Sequence, residues 1–500
     1  MTKVEKVSFE EALSSTGFGK FNVCTFLLCS TVIMGTATEI LSVAYLVPAS
    51  ACELLTTNTQ QGLMAAFPLL GIVVTSHFWG YQADTRGRKK VMLAAMIASS
   101  ITSILSSFSP DWITFTVFKF LSSGCVAGAL AIVLTLLSEC TPAAKRALFI
   151  MFSSSVFLSS NSIIAIIAIP VLQLKFSYYI PFLNIQFCSW RALCLIISSS
   201  CVLGLIGVCF LYESPKYLIS VGEEEKALKI MQNIFVINKN KSKEEYPVKS
   251  MFLDESTGAH VSKGFFSSIL DQTIPLFKHP LLNKTILLSV LLIMLLMSIQ
   301  PYLVWFPYMI DGFMKSVQTG EENLTFCQRL RASQNATETM EVSDCSINKF
   351  ALTIVFGVGI LLSVINIILS TLVKYIGRKR LIIIIQFVAG LGAVCLNFST
   401  QWILSGFLII VFIAGMINFG MITSVSVDLF PTHVKAMAVS FTLMVGRASV
   451  VVGINVLKQL LHVNCEASFY MFGAITLLCG VVCFLLPRDA KPPSNKCTET

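Results

Sequence analysis

We single out three charged residues as the ones most able to do chemistry, because they lie inside long apolar stretches: Glu39, Lys119 and Arg447. A charge at the centre of a membrane-spanning helix costs roughly 2.5 to 3.5 kcal/mol on insertion, so its retention indicates a function. Glu39 would either line a central cavity, where it could bind a cation or carry a coupling proton, or form a structural ion pair with Lys119 or Arg447. The residues leave both interpretations open.

The two cations occupy different positions in their apolar stretches. Lys119 precedes Gly124 and Gly128 and could extend its ammonium group to the membrane interface, which would make its role structural. Arg447 lies too far from either end to do so, and we expect it to face a cavity. The two cations would suit a solute that carries a carboxylate, whereas Glu39 would suit a cationic solute.

Aromatic residues form a further candidate group. Tyr302 and Trp305 lie in Gln300-Pro-Tyr-Leu-Val-Trp-Phe-Pro-Tyr308, where two prolines remove backbone hydrogen bonds. Irregular backbone at membrane depth is tolerated where it lines protein or water, so we predict an outer gate that contacts the solute. An aromatic belt at the interface is the simpler explanation for Tyr308.

A charged hinge, Gly80-Tyr-Gln-Ala-Asp84-Thr-Arg-Gly87-Arg88-Lys-Lys90, recurs in altered form at 370–380, 290 residues later. A second pair, Ser138-Glu139-Cys-Thr-Pro-Ala-Ala-Lys-Arg146 and Val427-Asp428-Leu-Phe-Pro-Thr-His-Val-Lys435, is offset by 289 residues. Nearly equal offsets indicate a duplicated unit, with two halves related by an axis along the membrane normal.

We predict that the two repeated segments form a conformational latch. Glycine permits a tight turn, and Asp84 at a helix end could pair with Arg88 or accept N–H groups from a neighbouring helix. The second copy has Lys374 in place of Asp84, so the two latches cannot be equivalent. The predicted latch residues are Gly80, Asp84, Gly87, Arg88, Glu139, Arg146, Asp428 and Lys435.

The composition places these residues in a membrane protein. The chain is 55% hydrophobic and only 13% charged, with 37 phenylalanines against 27 acidic residues. Such a ratio suits side chains that face lipid or one another. The net charge of +9 comes from Lys and Arg in short loops, which is typical of topology signals rather than of a nucleic-acid partner.

Runs of about 18 to 25 apolar residues predict an all-α protein with twelve membrane spans. The predicted spans are 21–47, 60–83, 90–108, 112–140, 147–172, 191–212, 284–310, 349–373, 381–398, 402–427, 436–461 and 467–487. The end of the fifth is uncertain, since 178–187 is also apolar. Six spans fall in each half, at 21–212 and 284–487, and the basic loops all lie on one side if both termini, 1–20 and 488–500, are cytosolic.

Two longer segments interrupt this pattern. We expect 213–283 to be a cytosolic linker with short helices, and 311–348 to be an extracellular or lumenal loop. That loop contains the glycosylation sequons Asn323-Leu-Thr and Asn335-Ala-Thr. It also contains Cys327 and Cys345, which could form a disulfide in oxidising surroundings.

The hinge resembles the signature loop of the major facilitator superfamily, in which Gly80, Asp84, Gly87, Arg88 and Lys89 match position by position. Tyr212-Glu-Ser-Pro-Lys-Tyr-Leu218 resembles the exit motif of sugar porters and organic ion transporters. Trp79-Gly80, Trp305-Phe-Pro307, Phe430-Pro-Thr432 and Gly446-Arg447 look like the synaptic vesicle glycoprotein 2 branch. The chain departs from the family at Lys119, where arginine is usual, and at Ala147, where glycine is usual.

The resemblance implies a secondary transporter with the major facilitator fold that moves a small organic solute, an organic ion or a sugar-like molecule, by alternating access with proton coupling. The competing interpretation is a scaffold or receptor that retains the fold without transporting. We expect no enzyme activity, cofactor, metal or nucleic-acid partner, because the sequence shows no nucleotide-binding loop, catalytic constellation or metal spacing. The expected protein is a monomer in the plasma membrane or a vesicle membrane.

Overall fold

The computed structural model describes residues 6–252, 274–318, 323–338, 348–430 and 432–487, which are predominantly helical. The helices of the first part of the chain are α1 Phe9–Ser15, α2 Lys20–Leu41, α3 Val43–Ser50, α4 Asn58–Arg86, α5 Arg88–Ser106, α6 Trp112–Glu139, α7 Ala143–Val171, α8 Ser189–Phe210, α9 Pro215–Ser220 and α10 Glu224–Lys239. The remaining helices are α11 Leu281–Gln318, α12 Phe326–Glu338, α13 Lys349–Ile376, α14 Arg378–Leu396, α15 Trp402–Ala414, α16 Asn418–Leu429, α17 Thr432–Val463 and α18 Cys465–Val482. The strands are β1 Val7–Ser8, β2 Ser177–Ile180, β3 Ile185–Cys188 and β4 Met251–Phe252.

Twelve helical segments of the described chain are long and apolar enough to cross a membrane, which confirms the predicted fold class. The spans are formed by α2 with α3, by α4 to α8, by α11, by α13 and α14, by α15 with α16, and by α17 and α18. The longest is α11, which has 38 residues and continues to Gln318, beyond the end expected from the sequence. The fifth span ends at Val171, because the apolar stretch that follows forms the antiparallel hairpin β2–β3.

The spans pack as two six-helix halves that meet along two seams. Helix α7 packs on α13 across one seam, and α4 packs on α17 across the other. In the first seam, Ser162 Oγ donates to the Phe356 carbonyl at 2.8 Å and Asn366 Nδ2 donates to Ser155 Oγ at 2.9 Å. Such polar bonds are suited to an apolar environment, since their donors would otherwise be unsatisfied.

Glycine turns join the second and third spans of each half. Gly87 has a φ of +99° and Gly377 has a φ of +90°, a conformation that residues with a Cβ rarely adopt. In the first turn, the backbone N–H groups of Arg88 and Lys89 donate to Glu213 Oε1 at 2.9 and 3.0 Å. A carboxylate therefore caps the N-terminus of α5, where the helix dipole favours a negative charge. We call the end of the molecule with these turns the basic end and the opposite end the far end.

The segment before α2 is fastened to the linker after α10 at the basic end. Strand β1 pairs in parallel with β4, and Tyr246 Oη donates to the Ala12 carbonyl at 2.8 Å. Glu224, at the start of α10, accepts the Met251 N–H and the Ser250 hydroxyl, each at 2.8 Å. These bonds lower the pKa of Glu224, so its charge helps to hold the linker in place.

The expected Cys327–Cys345 disulfide is wrong. Cys327 is bonded to Cys465, with the two Cα atoms 5.6 Å apart. The reason is that Phe326–Glu338 forms the helix α12, which places Cys327 against the start of α18 and buries it. Cys345 lies outside the described residues, and Cys52 is also disulfide-bonded.

We predict that Cys327→Ser and Cys465→Ser destabilise the protein equally and that the double variant is no less stable than either. Loss of a native disulfide typically costs about 2–5 kcal/mol, because the unfolded chain gains freedom. Thermal unfolding of the purified protein would measure this, with Cys395→Ser as the control, since Cys395 is a free, exposed cysteine. Peptide mapping that found Cys327 joined to another cysteine would contradict the assignment.

Candidate functional site

Two fully buried charges of the first half form an ion pair. Lys119 Nζ donates to Glu39 Oε1 at 2.8 Å, and both side chains are 0% exposed. The ammonium group of Lys119 therefore does not extend to the membrane interface. Of the two partners expected for Glu39, the structure selects Lys119, and Arg447 has no ion pair within the described part of the chain.

Serine hydroxyl groups complete the surroundings of this pair. Ser103 Oγ donates to Glu39 Oε2 at 2.6 Å, and the hydroxyl groups of Ser103 and Ser198 lie 2.6 Å apart. Lys119 Nζ also reaches Ser42 Oγ at 3.4 Å, at the break between α2 and α3. The site thus joins side chains of α2, α5, α6 and α8. A buried pair of this kind is balanced, whereas removal of one partner leaves a buried charge uncompensated at a cost of about 3–5 kcal/mol.

A buried lysine in the second half was missed by our sequence analysis. Lys458, on α17, is 1% exposed, and its Nζ lies 4.5 Å from the ring centre of Trp305 and 4.0 Å from that of Tyr308. Trp305 Nε1 donates to the Ile454 carbonyl at 3.3 Å, which fixes the ring. The criterion that selected Lys119 also applies to Lys458, since both are charges in an apolar stretch, so the signal was present in the sequence.

Arg447 lies on the same helix as Lys458 and faces almost the same direction. The two residues are eleven positions apart, about three helical turns or ~17 Å along the axis. Arg447 is half-buried, and within the described residues its guanidinium group makes no hydrogen bond or ion pair. Helix α17 therefore carries two cations on one face without a carboxylate partner among the described side chains.

Tyr302 is separated from these groups although it is only one turn from Trp305. Its ring is fully buried and packs against Phe412, Phe469 and Phe472, with ring centres 4.9 to 5.6 Å apart. Its hydroxyl group lies 3.2 Å from Ser468 Oγ. In this conformation Tyr302 belongs to the packed interior of the second half, whereas Trp305 contacts a charged side chain.

The predicted latch residues of the first half form a charged cluster at the basic end. Arg88 lies 3.2 Å from Asp84 Oδ1 and 3.4 Å from Glu139 Oε2, and its guanidinium group is 5.1 Å from the ring centre of Tyr217. Burial and the nearby Glu213 raise the pKa of Tyr217. Glu213, which the sequence did not single out, is the acceptor at the α5 N-terminus, and Asp84 pairs with Arg88 instead.

The other latch predictions have different outcomes. Arg146 donates to Glu10 at 2.9 Å and to the Ser138 carbonyl at 2.8 Å, both on its own side of the seam. A Cβ added to Gly80 would meet no atom within 4 Å, so this glycine makes no close helix approach here. Asp428 and Lys435 lie in helices, but their side chains are not among the described ones. Their role in the latch therefore stays a prediction.

Arg191 and Glu53 form a second charged group, at the far end of the first half, which the sequence analysis also missed. Arg191 is fully buried and donates to Glu53 Oε1 at 2.8 Å and to the carbonyls of Ser107 and Ser109 at 3.0 and 2.8 Å. Its guanidinium group lies 4.5 Å from the ring centre of Trp190. Because all three guanidinium nitrogens of Arg191 donate hydrogen bonds, we assign this group a structural role. Among the described residues there is no cluster of three or more His, Cys, Asp or Glu that could hold a metal.

The sequence profile of the Major Facilitator Superfamily matches residues 27–320 and 336–498. The putative transporter SVOPL of Mus musculus is 24% identical over 498 residues, which cover 96% of this chain and 92% of that protein. Synaptic vesicle glycoprotein 2C of Mus musculus is 25% identical over 322 residues, which cover 60% of this chain but only 44% of the relative.

Solved structures show the same fold. The partially occluded inward-open conformation of the xylose transporter XylE from E. coli matches with a TM-score of 0.65, covering 94% of this chain and 98% of that chain at 15% identity. A D-xylose–proton symporter structure matches with a TM-score of 0.62 at 14% identity. The profile match across most of the sequence and the shared twelve-helix architecture show that this chain belongs to the major facilitator superfamily of membrane transporters.

Proposed function

We propose that this protein is a secondary active transporter of a small organic solute, that it works by alternating access, and that Glu39 and Lys119 couple transport to protons. The observation that carries the proposal is the fully buried ion pair, whose carboxylate is held by Lys119 Nζ at 2.8 Å and Ser103 Oγ at 2.6 Å. Structural neighbours that include a D-xylose–proton symporter support proton coupling by analogy.

The surroundings of Glu39 explain how one proton could change the conformation. A proton on Glu39 would remove the charge that balances Lys119 and weaken the bonds to both the ammonium and the Ser103 hydroxyl group. Because those groups lie on α6 and α5, protonation would loosen contacts that hold several helices of the first half together. In a low-dielectric interior such a change in charge is worth several kcal/mol, enough to shift a two-state equilibrium.

The seams between the halves are suited to rocking movements. The described contacts that join the halves include one at mid-depth, between Ser155 and Asn366, and one towards the far end, where a Cβ at Gly62 would be 2.7 Å from Asn455 Oδ1. The Arg88 cluster makes its ion pairs within the first half. In the opposite conformation these charges would be free to contact the second half, which is the latch role we propose for them.

A scaffold or receptor without transport remains the second candidate from the sequence. It would keep the same fold and the same buried pair, but it would not carry solute across the membrane. Uptake of solute by the parent protein in vesicles therefore decides between the two functions.

We predict that Glu39→Gln abolishes proton movement driven by solute while leaving the protein folded. The purified protein would be reconstituted into vesicles that contain a pH-sensitive dye, and the external solution would be changed to D-xylose, D-glucose or an organic acid. Glu225→Gln, which removes an exposed carboxylate of the linker helix α10, is the matched control and should behave like the parent.

Solute-driven pH changes of equal size in Glu39→Gln and the parent would refute coupling at Glu39. Uptake of solute without any pH change in the parent would refute proton coupling but not transport. If none of the solutes enters parent vesicles, the scaffold interpretation is favoured.

We further propose that the basic end faces the cytosol, so that Asn323 at the far end is glycosylated. Asn323 is exposed and has a left-handed backbone conformation, with φ of +61°. In a eukaryotic host, Asn323→Gln should remove one glycan. Treatment with a glycosidase should then lower the mass of the variant by less than it lowers the mass of the parent. Asn240, in a sequon at the end of α10 on the basic end, is the internal control, since Asn240→Gln should change nothing. A glycan at Asn240 instead of Asn323 would invert the orientation.

A further inference from the structure

Lys458 is a buried cation whose charge is only partly compensated. Its side chain is 1% exposed, and its ammonium nitrogen has no hydrogen-bond acceptor within the described residues. The described contacts to its charge are the faces of Trp305 and Tyr308, at 4.5 and 4.0 Å. A cation over an aromatic face gains about 0.5–2 kcal/mol, whereas removal of an ammonium from water costs several kcal/mol. The two rings therefore recover only part of the cost.

The acid that lies one turn beyond Tyr308 on α11 is already engaged. Asp311 accepts from Lys315 Nζ at 2.8 Å and from the Asn348 backbone N–H at 2.6 Å. Lys315 lies on the same helix and is well exposed. Asp311 thus already has two partners at the end of α11. The charge of Lys458 would therefore be paired by a group from outside the described residues.

The position of Lys458 connects it to the movement of the halves. Asn455, three residues before it on α17, lies against Gly62 of α4 across the seam. Lys458 therefore sits beside the far-end contact that must open and close during alternating access. Closing the seam over a bare ammonium is costly, whereas closing it over an ammonium paired with an anion costs much less, because the two charges compensate each other.

The ring surfaces define what kind of anion would fit. Trp305 is fixed by its bond to the Ile454 carbonyl, and Tyr308 packs edge-on against it, with ring centres 6.0 Å apart. Aromatic side chains beside a single charged group are typical of the residues that line sites for small organic ligands. A flat or partly apolar body would contact the rings, while a carboxylate would accept hydrogen bonds from the ammonium group.

We propose that Lys458, Trp305 and Tyr308 form a binding site for the carboxylate of a small organic acid, and that this acid is the transported solute. The inference rests on the proposed transport function and narrows its solute to organic anions. Arg447, ~17 Å further along the same face of α17, is too distant to bind the same carboxylate, so it would serve a later position of the solute on its way to the basic end.

The test compares acids with their neutral amides on the purified full-length protein. The probes are benzoate with benzamide, nicotinate with nicotinamide, and lactate with lactamide. Binding would be read from thermal stability and from tryptophan fluorescence, because Trp305 lies next to the ammonium group. We expect at least one acid to bind saturably and its amide to bind at least roughly tenfold more weakly, since the amide cannot pair with a buried charge.

Variants separate the charge of Lys458 from its packing. Lys458→Gln should weaken binding of the acid at least roughly tenfold, whereas Lys458→Arg, which keeps the charge, should retain most of it. Lys349→Gln removes an exposed lysine at the start of α13 and should leave binding unchanged. Trp305→Phe should lose the fluorescence signal and also weaken binding of the acid, because it removes the indole ring that lies next to the ammonium group. If Lys458→Gln does not fold, the comparison of acid with amide on the parent and on Lys458→Arg still decides.

Equal binding of acids and amides, equal binding by Lys458→Gln, or no binding of any acid would overturn the inference. Vesicle uptake then shows whether transport fails with it. Uptake of D-xylose without acid binding would leave the transport function intact and reject the carboxylate site. Acid binding that depends on Lys458 without uptake of any solute would support the site and reject transport.

Discussion

The buried ion pair between Glu39 and Lys119 is the interaction on which the first half of this protein depends. Either residue would be costly to keep charged alone in an apolar bundle, whereas together and with the Ser103 hydroxyl group they form a balanced group. The pair connects α2 to α6 and, through serines, to α5 and α8. The packing of four helices is thereby tied to one proton-accepting group, which is the physical basis of the coupling that we propose.

In the second half, by contrast, the buried charges are not paired with each other. Lys458 and Arg447 have no carboxylate partner among the described residues, and Lys458 is sheltered by two aromatic rings. This difference fits the roles that we propose, in which the first half carries the coupling proton and the second half binds the solute.

The turns at the basic end, by contrast, are alike in the two halves. Lys89 donates to the Cys209 carbonyl and Lys379 to the Phe484 carbonyl, so each lysine binds the end of the last span of its own half.

The fold was predictable from the sequence because it depends on length, hydropathy and repetition. Apolar runs long enough to cross a bilayer gave the twelve spans, and the hinge repeat gave the two halves, since Gly87 and Gly377 both need a positive φ. Partners across the bundle were harder to predict. The sequence offered Lys119 and Arg447 equally to Glu39, and only packing brings Lys119 to 2.8 Å. Cys465 and Glu213 were missed for the same reason, because their partners are distant in sequence, whereas Lys458 could have been found from its apolar surroundings.

Proton coupling at Glu39 is tested by asking whether the Glu39 carboxylate itself takes up the proton. Infrared difference spectra of the reconstituted protein, recorded as the pH is lowered with and without solute, would detect a protonated carboxyl group in a dry environment. We predict a carboxyl band that depends on pH and solute, is present in the parent and in Glu225→Gln, and is absent from Glu39→Gln. A band that persists in Glu39→Gln, or a Glu39 that stays ionised at every pH at which solute drives proton movement, would contradict it.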